Sequence, residues 1–503
     1  MNPSKLTNLM ERRAPIYPVE EGQCRVQKEV SEPYAIKSRR VVTPAGLRHA
    51  LIVIENGKIG DILRADTETQ LPVQDVGNLV VMAGLIDPHV HVNEPGRTEW
   101  EGFESATAAA AAGGTTTLLD MPLNCVPSTV SLSAMEQKIS AIKDAKLSCD
   151  VGLIGGAVPG FLDEIGPLAK AGVFAFKSFM IDSQSADFPH VNSADLVEAM
   201  SLISKLEGAP YVYILHAEKD SEEDETLSEA SGHSNQDHAK HLQSRPEVWE
   251  TRAIDEAIRA ADQTGCHIHI AHVGSSNAAE IIHNAKIDGA YVTAEVCTHY
   301  LLFQSEKIPR GNTLFKCAPP IRSEDNRLGL WKALLKDGSL DIISSDHSPS
   351  PPELKHMKEG DFTKAWGGIA GLQYRLQGTW TASQPFEVDF MRLSELVSGK
   401  VADIFGLSAS KGRIVKGLDA DLVIWDPEEE QVIQESECLH RHKASAYTGQ
   451  KLMGRVKKTI VHGEVVYEDG GGIVGASPGK LLLRSAATRD GLSREVVRDQ
   501  VCT

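Results

Sequence analysis

Apolar and polar positions along the chain alternate between short β-like runs and longer stretches with helical spacing. The runs are Leu85–His89, Thr115–Asp120, Asp150–Ile154, Val173–Ser178, Tyr211–His216, His267–His272, Tyr291–Val296 and Asp341–Asp346. They are rich in β-branched residues or bounded by glycine, which reads as strand. Between most of them lie Ala/Leu/Glu/Lys-rich segments with helical periodicity, such as Ser133–Ala145, Ala194–Leu206, Val248–Gln263 and Asn326–Leu335. Eight strands alternating with helices predict an α/β fold, a (β/α)8 TIM-like barrel.

Two flanking regions carry a different pattern. Short alternating runs recur at Ala35–Ile36, Ala50–Ile54, Lys58–Leu63 and Leu79–Met82, and again at Gly412–Ile414, Asp421–Trp425, Thr459–Val461 and Glu464–Tyr467. Strands before and after a barrel can pair beside it, so a small β-sandwich built from both ends of the chain is expected. The expected division is an N-terminal extension (1–21), a composite β-domain (22–82 with 407–478), the barrel (83–406) and a C-terminal tail (479–503). The segment Glu218–Arg245 is polar and almost without aromatic residues, which predicts a mobile loop after the fifth barrel strand. Its histidines, His233, His238 and His241, are expected to be solvated rather than to bind metal.

Composition narrows the class. With 503 residues the chain has room for a barrel and appendages, and its formal charge of −18 argues against a nucleic-acid-binding surface. The 8 cysteines include no Cys-x-x-Cys pair and read as reduced thiols. The first residues, MNPSKLTNLMERRAPIYP, lack the apolar core of a signal peptide, and no run reaches membrane-spanning length. A cytoplasmic protein with neither a nucleic-acid nor a membrane partner is expected.

The chemistry lies at the ends of the predicted strands. A βα unit takes roughly 31 residues of a typical barrel, so ligands on different strands should stand near multiples of that length. From His89 to Lys177 is 88 residues, to His216 a further 39, to His272 a further 56 and to Asp346 a further 74. Allowing for insertions, these residues fall on strands one, four, five, six and eight, at the barrel mouth where such enzymes place their sites. His89 and His91 are two apart on an extended segment and point to the same side. In the run ending at His272, His267 and His269 share one parity and are assigned structural roles, with His272 past them at the mouth. Each residue alone has a plainer reading: a core histidine, a lysine paired with a carboxylate, or, for Asp346, a helix N-cap. Their common register makes a metal site the better reading. Lys177, desolvated and neutral, could also react with carbon dioxide to give a carbamate, an anionic group able to bridge two cations.

The stretches GLIDPHVHVNEPGRTEWEGF, AFKSFM, LHAE, IAHVGSS, EVCTHYLLF, KCAPPIR and SSDHSPSPPE resemble the cyclic-amidohydrolase branch of the amidohydrolase superfamily, and within it the allantoinases. The resemblance covers roughly Ala50 to Asp426 and implies a binuclear centre bridged by carboxylated Lys177 and a hydroxide. Zinc is the expected metal, with cobalt, manganese or nickel as alternatives. His89, His91, Lys177 and Asp346 would hold one ion, and Lys177, His216 and His272 the other. Asp346 would be the catalytic proton carrier; Asn124, Cys317 and Ser348 would contact substrate. The implied reaction opens the hydantoin ring of allantoin to allantoate. Dihydroorotases hold their substrate's carboxylate with an arginine two residues after the His-x-His and an asparagine after Met-Pro; here those places hold Asn93 and Leu123. DMPLN and GDFTKAWGGIAGLQ instead resemble allantoinase, whereas Val296 and Thr298 depart from the commoner Thr and Pro of the branch. A hydantoinase or dihydropyrimidinase would share the metal site, and a non-catalytic relative would have lost ligands. A homotetramer is common among similar proteins and is expected here.

Overall fold

The computed structural model describes residues 32–208, 210–221 and 232–484. The N-terminal extension and the end of the tail lie outside the described residues. Strands β1 (Tyr34–Thr43), β2 (Gly46–Glu55), β3 (Lys58–Arg64), β4 (Val73–Asp75) and β5 (Val80–Ala83) come first. The barrel strands follow: β6 (Leu85–Val90), β7 (Thr115–Asp120), β8 (Asp150–Gly156), β9 (Ala175–Phe179), β10 (Val212–His216), β11 (His267–Ile270), β12 (Val292–Cys297) and β13 (Ile342–Ser344). Strands β14 (Leu422–Val432), β15 (Lys451–Val461), β16 (Glu464–Glu468), β17 (Gly472–Ile473) and β18 (Leu481–Leu482) close the chain.

Each of the eight predicted runs overlaps one barrel strand. They pair in sequence order from β6 to β13, every neighbour parallel. The ring is completed past the strand ends, where Val90 bridges His347 and the His91 N–H donates to the His347 carbonyl at 2.8 Å. Strands covered on both faces need apolar residues at nearly every position, and β6 to β11 are buried almost throughout.

Helices Leu132–Asp144, Ser193–Ile203, Glu247–Thr264 and Glu324–Lys332 occupy the four periodic segments. Three begin where a short polar side chain satisfies an otherwise unpaired N–H: Ser131, Asn192 and Ser323 accept from the first turn, and Asn192 forms a reciprocal capping box with Asp195.

The two ends of the chain meet in one nine-stranded sheet, ordered β17-β16-β15-β14-β5-β1-β2-β3 with β4 on β1. Its seam is the antiparallel pairing of β5 with β14, Val80 opposite Trp425 through Ala83 opposite Leu422. The strand expected at Gly412–Ile414 does not form. Gly412 has φ +99° and packs so tightly that a Cβ there would stand 2.5 Å from that of Ala402, while Arg413 turns outward to Glu395 and Asp403. Where the sheet meets the barrel base, the buried Lys411 ammonium lies 2.5 Å from Asp421, 2.7 Å from Asp150 and 3.1 Å from Asp419. Beyond Pro478 the chain returns to the barrel, where β18 pairs parallel to β8.

The polar segment after β10 is only partly as expected. Residues 222–231 lie outside the described residues, and His233 is exposed. His238 and His241, however, are buried on a helix, His238–Ser244. The His241 Nε2 meets the Cys317 carbonyl at 2.7 Å and His238 stands edge-on to Phe362, so neither is a solvated loop residue. The cysteines of the described residues are free and buried.

Candidate metal centre

The C-terminal ends of the barrel strands surround a cavity of about 470 Å³ lined by His89, His91, His216, His272 and Asp346. Lys177 lies within the barrel on β9, fully buried and between Gly156 of β8 and Ile214 of β10. Asn124, Cys317 and Ser348 also line the cavity, whereas Lys177 lies among the barrel strands and is not part of the lining.

The spacing suits cations. One ligand atom from each of His89, His91 and Asp346 lies within 4.8 Å of the others; Asp346 Oδ1 is 3.3 Å from His89 Nε2 and 3.6 Å from His91 Nε2. The rings of His216 and His272 meet edge to face at 4.5 Å, and those of His89 and His272 stand 5.3 Å apart. Lys177 Nζ and His272 Nδ1 are buried with no hydrogen-bond partner among the described residues. Polar atoms so placed are costly unless something else engages them, and an electrophilic ligand would do so. His272 and Asp346 both have positive φ, +36° and +43°, a backbone state uncommon for non-glycine residues.

Electrostatics favour the ligand forms. Burial lowers the pKa of His91, pushes His216 down to about 4 and drives His272 well below its ordinary value, leaving neutral imidazoles with lone pairs to donate. Burial also brings Lys177 down to about 8, against the opposing pull of Glu295 and Asp346. About a tenth of this amine is then neutral at pH 7, far more than for an ordinary lysine, and the neutral amine is the form that adds to carbon dioxide. Burial alone would raise the Asp346 carboxyl, but His89, His91 and His272 hold it well below the usual carboxylate range. The donor set fits divalent cations, with neutral imidazoles, an ionised carboxylate and an amine that can become a carbamate.

A second layer of residues, not singled out in the sequence, aims the first. Glu295 on β12 takes His89 Nδ1 on one oxygen, accepts from the His272 backbone N–H at 3.2 Å, and meets His269 Nε2 at 3.4 Å. Glu218 meets His216 Nε2 at 2.7 Å and is itself gripped by Arg245. Fixing one ring nitrogen fixes the orientation of the other. His267 and His269 both hydrogen-bond Thr293, at 3.0 and 2.9 Å, in keeping with structural roles. The signal for Glu218 was its place two residues after His216. Glu295, by contrast, is marked only by being a carboxylate inside an apolar strand.

At the places where a dihydroorotase carries its carboxylate anchors, Leu123 presents an apolar wall to the cavity. Asn93 is buried and turned away, its amide donating to the Pro349 carbonyl at 3.3 Å. Asn124, with φ +68°, lies 3.3 Å from His91 Nδ1.

The Amidohydrolase family model matches residues 80–466. The chain is 41% identical over 455 residues to allantoinase of Arabidopsis thaliana, covering 87% of this chain and 88% of that one. It is 38% identical over 466 residues to allantoinase of Saccharomyces cerevisiae, covering 90% and 99%. Among solved structures it is similar to the L-hydantoinase (dihydropyrimidinase) of Arthrobacter aurescens, with a TM-score of 0.83 and 31% identity over 90% of this chain and 99% of that one.

Proposed function

The chain belongs to the amidohydrolase family, and from that premise we propose that it opens the hydantoin ring of (S)-allantoin to allantoate, a hydrolysis of purine degradation. The observation that carries this reading is its near-full-length relation to allantoinases of a plant and a yeast. His89, His91, Lys177 and Asp346 would hold one divalent ion, and Lys177, His216 and His272 a second, with Lys177 carboxylated by carbon dioxide. Zinc is the metal proposed. Bound there, such cations would supply Lewis acidity, lowering the pKa of a water and polarising the scissile carbonyl.

The chain's own residues do the rest. Asp346, held ionised by the surrounding histidines, takes the proton of the attacking water and delivers it to the departing ring nitrogen. The amide C–N bond breaks as the new C–O bond forms, so one water is consumed and no redox partner is needed. Glu295 and Glu218 keep the His89 and His216 rings turned toward the cavity. Asn124, Cys317 and Ser348 stand where a bound ring would touch them, and Leu123 offers no charge to a substrate carboxylate.

The likeness to L-hydantoinase favours one alternative, a hydantoinase or dihydropyrimidinase activity on the same centre. A panel of allantoin, hydantoin, dihydrouracil and dihydroorotate separates the two. Allantoin is expected to be turned over orders of magnitude faster than dihydroorotate, and faster than the other two rings. Comparable efficiency on dihydroorotate, or preference for hydantoin, overturns the assignment. A cytoplasmic homotetramer completes the proposal, and light scattering of the purified protein tests its assembly.

A further inference from the structure

Two amines near the cavity, one buried and one half-buried, form no ion pair among the described residues, and Asp361 pulls on the half-buried one only from a distance. Lys355 is only 3% exposed, yet no ion pair reaches it among the described residues; its Nζ donates to the carbonyls of Gly368 at 2.6 Å and Trp366 at 3.3 Å. Lys316, half-buried at the cavity edge, donates to the Ala365 carbonyl at 2.6 Å. Both amines therefore act on one short stretch, 365–368, whose residues Trp366, Gly367 and Gly368 form a wall of the cavity.

The backbone laces the same stretch to the same two residues. The Gly368 N–H donates to the Lys316 carbonyl at 2.8 Å, the Trp366 N–H donates to the Leu354 carbonyl at 2.7 Å, and the Thr313 hydroxyl holds the Lys355 carbonyl. On its other side the wall presses against the catalytic strand end. A Cβ on Gly368, which has φ +122°, would lie 2.3 Å from the carbonyl oxygen of Ser348, two residues past Asp346, and the Ser348 N–H donates to the Ile369 carbonyl at 3.1 Å.

Keeping an ammonium in a buried place without a counter-charge costs stability, and an apolar side chain of the same length would avoid that cost. Burial pushes the Lys355 amine down to about 7 and the Lys316 amine down to about 8, which measures how poorly the site pays for charge. What a methionine could not supply is donors for three carbonyls in a loop that belongs to no helix or sheet. We propose that Lys355, assisted by Lys316, is a positioning residue that fixes the cavity wall 365–368 against Ser348 and so sets how tightly substrate is held. Neither amine takes part in the chemistry.

The proposal rests on the allantoin reading only for its kinetic test. Full-length Lys355→Met should raise KM for allantoin about tenfold while kcat changes by less than about threefold, because a wall that binds the ground and transition states alike affects KM. Bound metal should be unchanged, and deuterium uptake at 365–369 should quicken. Lys316→Met, which removes one carbonyl contact, should show the same pattern more weakly and replaces the first variant should that one not fold. A merely structural lysine would lower the melting temperature and leave KM alone. Unchanged KM in the folded variants, or unchanged exchange at 365–369, overturns the proposal. If the wild type does not open allantoin, the functional reading fails, and the exchange measurement decides the positioning role by itself.

Discussion

Replacing Glu295 by glutamine isolates the layer behind the proposed metal ligands. The carboxylate is buried and serves His89 Nδ1, the His272 backbone N–H and His269 Nε2. Burial would raise its pKa, but His89 and His269 hold it well below the usual range, so it is the anion that binds these groups. Glutamine fits the same space, but one of its two terminal atoms is an NH2 and cannot accept. At least one donor is left without a partner, at a cost of about 1–3 kcal/mol. Where the NH2 takes the place of the oxygen facing His89, the ring also loses the acceptor that keeps Nδ1 protonated and Nε2 free toward Asp346. Loss of such an outer partner weakens metal binding by about 10–100-fold. Competition with a chelator of known affinity, read with a melting curve on the metal-free protein, measures both effects. Metal affinity within about twofold of wild type would show that Glu295 does not orient His89, whatever happened to stability.

Three further outcomes are expected. Lys177→Ala should lose metal and activity while the barrel stays folded by circular dichroism. A short-chain carboxylate should partly restore both, whereas Lys177→Arg should fail because a guanidinium stays protonated; retained metal in the alanine variant counts against the bridge. Lys411→Met leaves Asp150, Asp419 and Asp421 facing one another at the barrel base, and since Lys58 and His462 still pair with two of them, the loss should sit near the lower end of the range for a broken buried pair, about 3 kcal/mol by chemical denaturation. An unchanged midpoint would mean the cluster is not a clamp. His238 is buried with neither ring nitrogen hydrogen-bonded among the described residues, and burial pushes its pKa down to about 4. Its folded value lies below the unfolded value of about 6.5, so its contribution is complete above that pH and is lost as pH falls toward 4, at about 1.4 kcal/mol per unit. His238→Phe should therefore shrink the stability gap between pH 7 and pH 5 by about 2 kcal/mol, and an equal gap in the two proteins would remove His238 from the acid response.

Why some of this was legible in the sequence follows from the periodicity of each part. Barrel strands covered on both faces must be apolar almost continuously, and their ends must turn polar where the cavity opens, so His89, His216, His272 and Asp346 stand out at the junctions. The helices announced themselves by their helical spacing, while the caps that start two of them, Ser131 and Asn192, came to light only in the structure. Gly412–Ile414 misled because a buried apolar residue beside a glycine looks the same in a tight turn as in a strand; Arg413, tied to Glu395 and Asp403 of the helical segment before it, decides it, and local periodicity does not show those ties. His238 and His241 misled for the opposite reason. Their neighbours are polar, and only the packing of a helix under Phe362 and against the Cys317 carbonyl shows that they are interior.

The two layers of the site differ in what holds them, and this bears on how one barrel could serve several rings. The proposed ligands sit at or beside strand ends, fixed by ladder hydrogen bonds and by buried carboxylates, Glu295 and Glu218, whose loss affects the centre itself. The cavity wall that would meet the rest of a substrate comes from loops. Leu123, the stretch 316–318 and the stretch 362–368 are all connections, held by side chain to backbone contacts such as those of Lys316 and Lys355. A change in the first layer should abolish hydrolysis of every cyclic amide alike, because each needs the same activated water. A change in the second should alter relative KM values among rings and leave metal content alone. Measuring the full substrate panel on Glu295→Gln and Lys355→Met therefore separates the layers: a uniform loss in the first variant and a ring-dependent loss in the second is the expected result, and ring-dependent loss in both would mean that the metal shell also shapes specificity.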